Sequence, residues 1–302
     1  MEKAVGKQGI SKGLGIRAFV PYAYIFPSLL IYAIFVVIPI LGTILLSFFD
    51  WTGFSSPVFV GFKNFVELSG DQTFLSGLFN NFSFIFFYTV LPVSIGLILT
   101  MIMSRRNLAG QSLFRAGFFI PYILPMVVVG VIWRWIYNPA FGPLNQVLKL
   151  AGLGSLAKPW LGDFNFALPA VGVMATWVQY GFCMALFLAG VQRINEDLFD
   201  AAKVDGANQF QQMLHVMIPG IRGEILVAVV TTFIAAVRLF DLIFVTTRGG
   251  PGAQTVVTSL WLYRNAFQIN RAGYGAAIAV VQTAFILLVS FILVKKVFTE
   301  NE

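Results

Sequence analysis

Long apolar segments alternate with short polar ones along this chain. An apolar run of about 18 or more residues is long enough to cross the hydrocarbon core of a bilayer. Five such runs contain no charged residue, and they lie between Arg17 and Asp50, Asp71 and Arg105, Arg115 and Arg134, Asp163 and Arg193, and Arg271 and Lys295. A sixth run, Ile225–Thr247, contains only Arg238 and Asp241. The pattern predicts an all-α membrane protein with six transmembrane helices.

Composition supports this class and excludes others. Of the 302 residues, 58% are hydrophobic and 11% are charged, whereas soluble domains carry roughly a quarter charged residues. We therefore expect residues 1–302 to form a single membrane domain in contact with lipid. The net charge of +7 comes from cations spread over every loop. Because they do not form one basic face, a nucleic-acid partner is not expected.

The positions of the cations predict the orientation of the chain. Six spans place both termini on one side, and the loops on that side hold more of the Lys and Arg residues. Since cytoplasmic loops are enriched in these residues, we predict that both termini are cytoplasmic, with residues 1–17 as a cytoplasmic tail. The first run is too long for a cleaved signal peptide and is interpreted as a retained span.

One cytoplasmic loop, residues 195–222, has an unusual sequence. Asn195 is a good N-cap, and the acids Glu196 and Asp197 follow it, where the positive end of a helix dipole favours them. A short helix is expected there. The segment Asp200–Ala207 is rich in alanine and ends near a glycine. Small side chains let its backbone lie close against a partner surface.

This loop resembles the signature of the inner-membrane permeases of binding-protein-dependent ABC importers. The signature reads Glu-Ala-Ala, three residues, Gly, nine residues and Ile-x-Leu-Pro, and it is matched here by Asp200, Ala201, Ala202, Gly206, Val216, Ile218 and Pro219. Three of these positions carry conservative replacements. The resemblance implies a type I importer permease fold and a coupling loop at 195–222. The implied ATPase-coupling residues are Asp200, Ala201, Ala202, Asp205, Gly206, Ala207 and Pro219.

Other segments resemble the carbohydrate importers within this family. Phe240–Ile243 followed by Thr247–Pro251 is similar to the end of their span after the signature loop. The beginning of the chain is similar to the first permease of maltose and glycerol-3-phosphate uptake systems, at Pro27, Pro39, Ser47, Gly61 and Asn64. The resemblance therefore implies uptake of a sugar, with glycerol-3-phosphate or another anionic sugar derivative as an alternative substrate.

The family also implies the partners and the mechanism. A second homologous permease completes the pathway, an extracytoplasmic binding protein delivers the sugar, and two ATPase subunits bind ATP and Mg. The complex lies in the plasma membrane of a bacterium or an archaeon and works by alternating access. No Gly-x-x-x-x-Gly-Lys-Ser/Thr motif occurs in this chain. We therefore expect no cofactor and no catalytic or metal site here, with ATP hydrolysis performed by the partners.

Candidate substrate contacts come from two sources. In the resembled family the fourth and fifth spans line the pathway, at turns that match Ala175–Phe182 and Thr232–Leu239 here. Charged residues inside a span are also expected to face a polar cavity or each other, and the spacing of Arg238 and Asp241 would place them on one helix face. Together these arguments give Trp177, Gln179, Tyr180, Phe182, Thr232, Arg238 and Asp241. Contact with sugar and a structural ion pair between the two charges both remain open.

Two other functions could explain part of the sequence. A self-sufficient secondary transporter or channel would account for the spans and the buried charges, but not for the signature loop. A membrane enzyme would need a cluster of His, Asp, Glu or Ser within the spans, and the sequence offers none. A single cysteine, Cys183, falls in mid-span and is expected to be a small packing residue.

Overall fold

The computed structural model describes residues 14–104 and 110–299, which are mostly helical. Five helices in this part are long and apolar enough to cross a membrane, and a bent helix pair makes a sixth span if it counts as one. The prediction of an all-α architecture is confirmed. One small antiparallel hairpin is present, formed by β1, Phe49–Asp50, and β2, Val58–Phe59, with Phe49 opposite Phe59.

The first span lies at the edge of the bundle. It consists of α1, Leu14–Tyr32, a π-helical turn, Ala33–Val37, and α2, Ile38–Leu46. Its apolar segment Tyr24–Leu46 is not buried by the rest of the described chain, and α2 packs on the last helix. The candidate span within this segment begins at Tyr24, so residues 1–17 as a cytoplasmic tail stay a prediction. Residues 1–13 of that tail lie outside the described part.

The second span begins at a capped helix end. A short helix, α3, Lys63–Gly70, precedes it, and the Asp71 carboxylate accepts hydrogen bonds from the backbone amides of Thr73 and Phe74. Such N-cap bonds satisfy amides that have no partner within the helix. The span then runs through α4, Gln72–Ile85, a π turn, Phe86–Val90, and α5, Leu91–Met103.

Prolines inside the helices follow a common arrangement. In three places a five-residue π turn ends two residues before a proline, at Pro39, Pro92 and Pro219. Proline lacks an amide hydrogen, and its ring clashes with the carbonyl of the preceding turn. A widened turn separates these groups, so the helix continues past the proline instead of ending there.

The third predicted span is broken. Helix α6, Gln111–Ile123, and helix α7, Met126–Ile136, meet at an angle of 100°. Leu124 between them has extended backbone, as expected for a residue that precedes proline, here Pro125. A proline alone would only kink a continuous helix. Here two extended residues separate the halves, and α7 packs mainly on a segment of the fifth span.

The fourth span is the centre of the bundle. After α8, Pro143–Leu150, and a 3₁₀ turn, Gly154–Leu156, helix α9 extends over Ala167–Val191 with most of its side chains buried. It packs on α5 and α6. Cys183 of α9 is buried against the backbone at Gly96, which confirms its role as a small packing residue. A side chain at Gly181 would collide with the backbone of Phe118 in α6.

The remainder of the chain contains the predicted coupling loop and the last two spans. Its elements are α10, Glu196–Val204; α11, Gln209–Gln212; a π turn, Met213–Met217; α12, Ile218–Gly220; α13, Arg222–Val237; α14, Asp241–Val245; α15, Thr258–Tyr263; a π turn, Arg264–Gln268; and α16, Ala272–Thr299. The fifth span therefore consists of α13 and α14, and the sixth is α16.

Polar contacts link several segments at one end of the bundle. At one end, Arg271 forms a salt bridge with Glu67 at 2.7 Å, and the Asp71 carboxylate accepts hydrogen bonds from Trp261 Nε1 at 2.7 Å and Tyr274 Oη at 2.6 Å. Burial raises the pKa of Asp71, but these bonds and those from the Thr73 and Phe74 amides outweigh it, so the net pKa is lowered. The carboxylate therefore stays ionised and ties three segments together.

Candidate functional site

Helix α10 of the predicted coupling loop has a defined cap at each end. The side chain of Asn195 accepts a hydrogen bond from the amide of Asp197 at 3.1 Å, as the sequence predicted for an N-cap. At the other end, the amide of Ala207 donates to the carbonyl of Ala202 at 2.9 Å. The amide of Gly206 donates to the carbonyl of Lys203 at 3.0 Å. This pair of bonds is a Schellman motif, which ends a helix with a residue in the left-handed conformation.

Gly206 supplies that conformation. Its φ is +79°, a value that side-chain-bearing residues rarely adopt, and the space next to its Cα is open within the chain. The sequence analysis explained this glycine by close contact with a partner. The structure adds an intramolecular reason, because the turn at Gly206 directs the chain from α10 into α11. A capping box between Asn208 and Gln211 begins α11 immediately afterwards.

The loop presents apolar side chains to its surroundings. Four large hydrophobic residues of the loop are exposed, and they are Leu198, Val204, Phe210 and Leu214. Val204 is 88% exposed. Apolar groups exposed beside a membrane can contact lipid or another protein. Most of the predicted coupling residues are also exposed, namely Asp200, Ala201, Asp205, Gly206 and Pro219, while Ala202 and Ala207 are half-buried.

The other face of the loop is firmly joined to the spans. Arg193, after α9, forms an ion pair with Glu224 at the beginning of α13. Ile194 packs against the backbone at Gly220. A shared apolar cluster then joins the loop to α9 and α13 through Phe187, Val191, Met213, Met217 and Ile221. The buried apolar cluster fixes the position of the loop relative to the fourth and fifth spans, while the Arg193 side chain of the ion pair is 72% exposed.

The aromatic residues predicted on the fourth span contact the third span. Trp177 packs edge to face on Trp133 with ring centroids 5.8 Å apart. Phe182 stacks on Tyr122 at 4.9 Å, and Tyr180 contacts Phe118 edge to face at 6.1 Å. All three are half-buried, so part of each ring is free to contact another molecule. Gln179 is 5% exposed and takes part in none of the hydrogen bonds found among the described residues.

Thr232 cannot serve as predicted in this conformation. Its side chain is fully buried, and its hydroxyl donates to the carbonyl of Ala228 at 2.7 Å and to that of Val229 at 3.2 Å. A hydroxyl in an apolar helix satisfies itself in this way when no better partner is near. In this conformation Thr232 is therefore not accessible to a sugar, and its role in the pathway stays a prediction.

Arg238 and Asp241 do not lie on one helix face. Helix α13 ends at Val237, Arg238 forms its C-cap, and Asp241 is the first residue of α14. Within residues 14–104 and 110–299, the salt bridges formed do not include one between these two side chains, and both are exposed. The spacing argument was wrong because it assumed an uninterrupted helix. Each charge is instead available to water, a substrate or another subunit.

Two polar side chains that were not predicted from the sequence form hydrogen bonds at the break between α13 and α14. Asn81 of α4 and Gln282 of α16 are polar residues within apolar spans, and both reach the end of α13. A polar side chain in a membrane span is a functional signal in itself. Neither amide was among the predicted site residues, because outside the turns matched to the family only charged residues were expected to be informative within a span.

Known proteins with similar sequences and folds place this chain in a family. Residues 93–298 match the family described as binding-protein-dependent transport system inner membrane component. The probable ABC transporter permease protein YurN of Bacillus subtilis is 36% identical over 91% of this chain and 95% of its own length. The trehalose/maltose transport system permease protein MalF of Thermococcus litoralis is 32% identical over 90% of this chain and 91% of its own length.

A solved structure agrees in fold. A chain of a bacterial ABC transporter that imports the acidic polysaccharide alginate superposes with a TM-score of 0.80, at 22% identity, and covers 93% of this chain and 96% of that one. The protein is an integral membrane transport subunit. It belongs to the family of inner-membrane components of binding-protein-dependent transport systems, as the signature loop predicted.

Proposed function

We propose that this chain is a permease subunit of an ATP-driven sugar importer and that it is coupled to ATPase partners through residues 200–219. The observation that carries the proposal is the loop between the fourth and fifth spans. The exposed face of the loop carries four large apolar side chains, and the face towards the bundle is joined to both spans by an ion pair and a packed cluster. A partner bound to the exposed face would move the two spans that carry the candidate substrate residues.

The substrate class rests on the relatives. Proteins similar to this chain include permeases named for trehalose and maltose, starch degradation products and diacetylchitobiose. A second homologous permease would complete the pathway, and a binding protein outside the membrane would deliver the sugar. ATP and Mg would bind to the two ATPase subunits, with no cofactor in this chain. Residues 1–302 would form one permease domain, and 195–222 its cytoplasmic coupling loop.

An anionic sugar derivative is a second candidate substrate, and one observation favours it. Arg238 is exposed at the interruption of the fifth span, and its guanidinium forms none of the salt bridges found in the described ranges. A guanidinium binds carboxylate and phosphate groups with two parallel hydrogen bonds. Competition by a neutral disaccharide and by its uronate analogue, measured on uptake by the same complex, would distinguish the two classes.

Reconstitution tests the proposal as a whole. We expect proteoliposomes containing this chain, a second permease and ATPase subunits to accumulate sugar only with binding protein outside and ATP on the ATPase side. The chain alone, with an imposed proton or sodium gradient, is expected to show no uptake because the proposed pathway is formed only with a second permease and is opened by the ATPase subunits. Uptake driven by an ion gradient without the partners would instead establish the secondary transporter.

Cysteine labelling tests the orientation. We expect cysteines at Ser56, Ser155 and Gln254 to react with a membrane-impermeant maleimide added to intact cells, and a cysteine at Gln209 to react only after permeabilisation. All four positions are exposed. Cys183 is buried, so the parent chain supplies a low background. Reaction at Gln209 in intact cells would contradict both cytoplasmic termini and the coupling role of the loop.

A further inference from the structure

The interruption of the fifth span leaves backbone carbonyls without helical partners. The last carbonyls of any helix cannot bond to amides of the next turn, and in a membrane no water replaces those bonds. In α13 these carbonyls include Ala236 and Val237, and the nearby amide of Leu239 reaches Ala236 only at 3.4 Å. Ala236 and Val237 are 0% and 1% exposed, so their carbonyls need donors from within the protein.

Asn81 supplies two of these donors. It lies on α4, is 1% exposed, and its Nδ2 donates to the carbonyls of Ala236 and Val237 at 3.1 Å each. Its Oδ1 accepts from the amide of Thr258 at 3.0 Å and from the hydroxyl of Thr258 at 2.9 Å. An amide side chain has two donors and two acceptor sites, so the capacity of Asn81 is fully used. One residue thus joins α4, the end of α13 and the beginning of α15.

Gln282 completes the arrangement from the sixth span. Its Nε2 donates to the carbonyl of Val237 at 2.8 Å and contacts the hydroxyl of Ser259 at 2.9 Å. The carbonyl of Val237 therefore receives donors from two spans, α4 and α16. We call Asn81, Gln282 and the carbonyls of Ala236 and Val237 the amide hub.

Gly77 allows α4 to approach the chain at Val257 and Thr258 closely. Gly77 lies one turn before Asn81, on the same face of α4, and a Cβ there would stand 3.2 Å from the backbone at Val257 and Thr258. This close approach is what brings Asn81 within reach of α15. The preceding residue, Asn80, is also buried, but its amide donates to the carbonyl of Val256 at 2.8 Å and does not reach α13.

We propose that Asn81 and Gln282 are positioning residues of the transport pathway: by capping Ala236 and Val237 they hold the interruption that presents Arg238 and Asp241. The role in transport rests on the proposed function, whereas the positioning itself does not. Arg238 directly follows the capped residue Val237, and Asp241 lies three positions further along the chain. Without the hub, α13 can extend past Val237, which would rotate Arg238 and Asp241 away from the face they now occupy.

The position of Asp241 provides the test. The full chain carrying Asp241→Cys is purified in lipid nanodiscs, and folded protein is recovered by size exclusion. We then measure the rate at which a cationic methanethiosulfonate modifies the new thiol. We expect Asn81→Ala and Gln282→Leu each to lower this rate about tenfold, because position 241 rotates away from its exposed face when the interruption is lost. Asn81→Asp should behave like Asn81→Ala, since a carboxylate accepts from Thr258 but cannot donate to the two carbonyls.

Asn80→Ala is the matched control, because it removes a buried amide of the same type at the next position. We expect it to leave the rate within about twofold. Thr258→Val, which removes only the hydroxyl bond to Asn81, should also have a small effect. Equal effects of Asn81→Ala and Asn80→Ala, or no effect of Asn81→Ala and Gln282→Leu, would overturn the proposal. If Asn81→Ala does not fold, Gln282→Leu decides alone.

Sugar uptake by the reconstituted complex then separates positioning from stability. With equal amounts of assembled complex, we expect Asn81→Ala to raise the KM for sugar and Asn80→Ala to leave it unchanged. A purely structural role would lower the amount of complex without changing KM. If the parent complex carries no sugar at all, the proposed function fails, while the labelling result still decides whether the hub positions Asp241.

Discussion

Gly206→Val is expected to abolish both sugar-stimulated ATP hydrolysis and sugar uptake. Valine in the left-handed conformation costs roughly 1–2 kcal/mol, which shifts the population of the correct turn by about 5- to 30-fold. The amides of Gly206 and Ala207 would then lose their bonds to α10, and α10 and α11 would no longer present one surface. The measurement is sugar-stimulated ATP hydrolysis and uptake by the assembled complex, which should fall together to near the basal level.

Gly206→Asn distinguishes the two reasons for a glycine at this position. Asparagine is close to valine in size but tolerates positive φ. If the turn is what matters, Gly206→Asn should retain most of the coupling that Gly206→Val loses. If close seating on the ATPase is what matters, both should fail, as would Gly206→Trp. Unchanged coupling in Gly206→Val would remove this loop from the mechanism.

Asp200 provides a comparison within the same loop. Its carboxylate pairs with Lys203 at 2.7 Å, and both side chains are exposed. An exposed pair at this spacing on a helix contributes only about 0.5 kcal/mol or less. Loss of this pair therefore has little effect on the loop itself, and any larger effect of changing Asp200 would come from contact with a partner.

Helix α10 could be predicted from local sequence because its determinants are local. Asn195 and the acids after it define the beginning of α10, and Gly206 defines its end. Even so, the sequence analysis assigned Gly206 to contact with a partner. A glycine one residue after the last helical turn, following a lysine in that turn, is also the pattern of a helix C-terminus. That pattern would have identified the Schellman motif.

The breaks in the third and fifth spans could not be predicted in the same way. Proline is common in membrane helices and usually produces only a kink, so Pro125 does not by itself indicate a bend of 100°. In the fifth span the sequence between Val237 and Asp241 contains no proline or glycine. Its interruption depends on Asn81, more than 150 positions earlier in the chain, whose amide replaces the missing helical bonds.

The candidate substrate residues show the same limit. Their assignment to two spans was correct, but the orientation and state of each side chain depend on neighbours distant in sequence. Trp177, Tyr180 and Phe182 contact α6 and α7. Thr232 differs, because its hydroxyl bonds to its own helix. Composition identifies polar residues in a span, whereas packing decides which of them remain free.

Arg238→Ala and Asp241→Ala are each expected to reduce sugar uptake severely, and the double substitution is expected to be no better. Both side chains are exposed, and they are separated by the end of one helix and the beginning of the next. A hydrogen bond from a charged group to a ligand contributes about 1.5–3 kcal/mol, which corresponds to roughly 10- to 100-fold in uptake at low sugar concentration. Uptake is measured on complexes purified and reconstituted in equal amounts.

The double-mutant cycle gives this prediction its discriminating power. A structural ion pair would make each single substitution leave an uncompensated charge, so the double substitution would recover assembly and much of the transport. Because the two side chains are not paired in this structure, we expect their effects to add to within about 0.5 kcal/mol. Arg238→Lys should restore part of the uptake of a neutral sugar, but little of a uronate, because lysine keeps the charge and loses the two parallel donors. Recovery in the double substitution would show that the pair forms in another state of transport, and normal uptake in both single variants would place these charges outside the pathway.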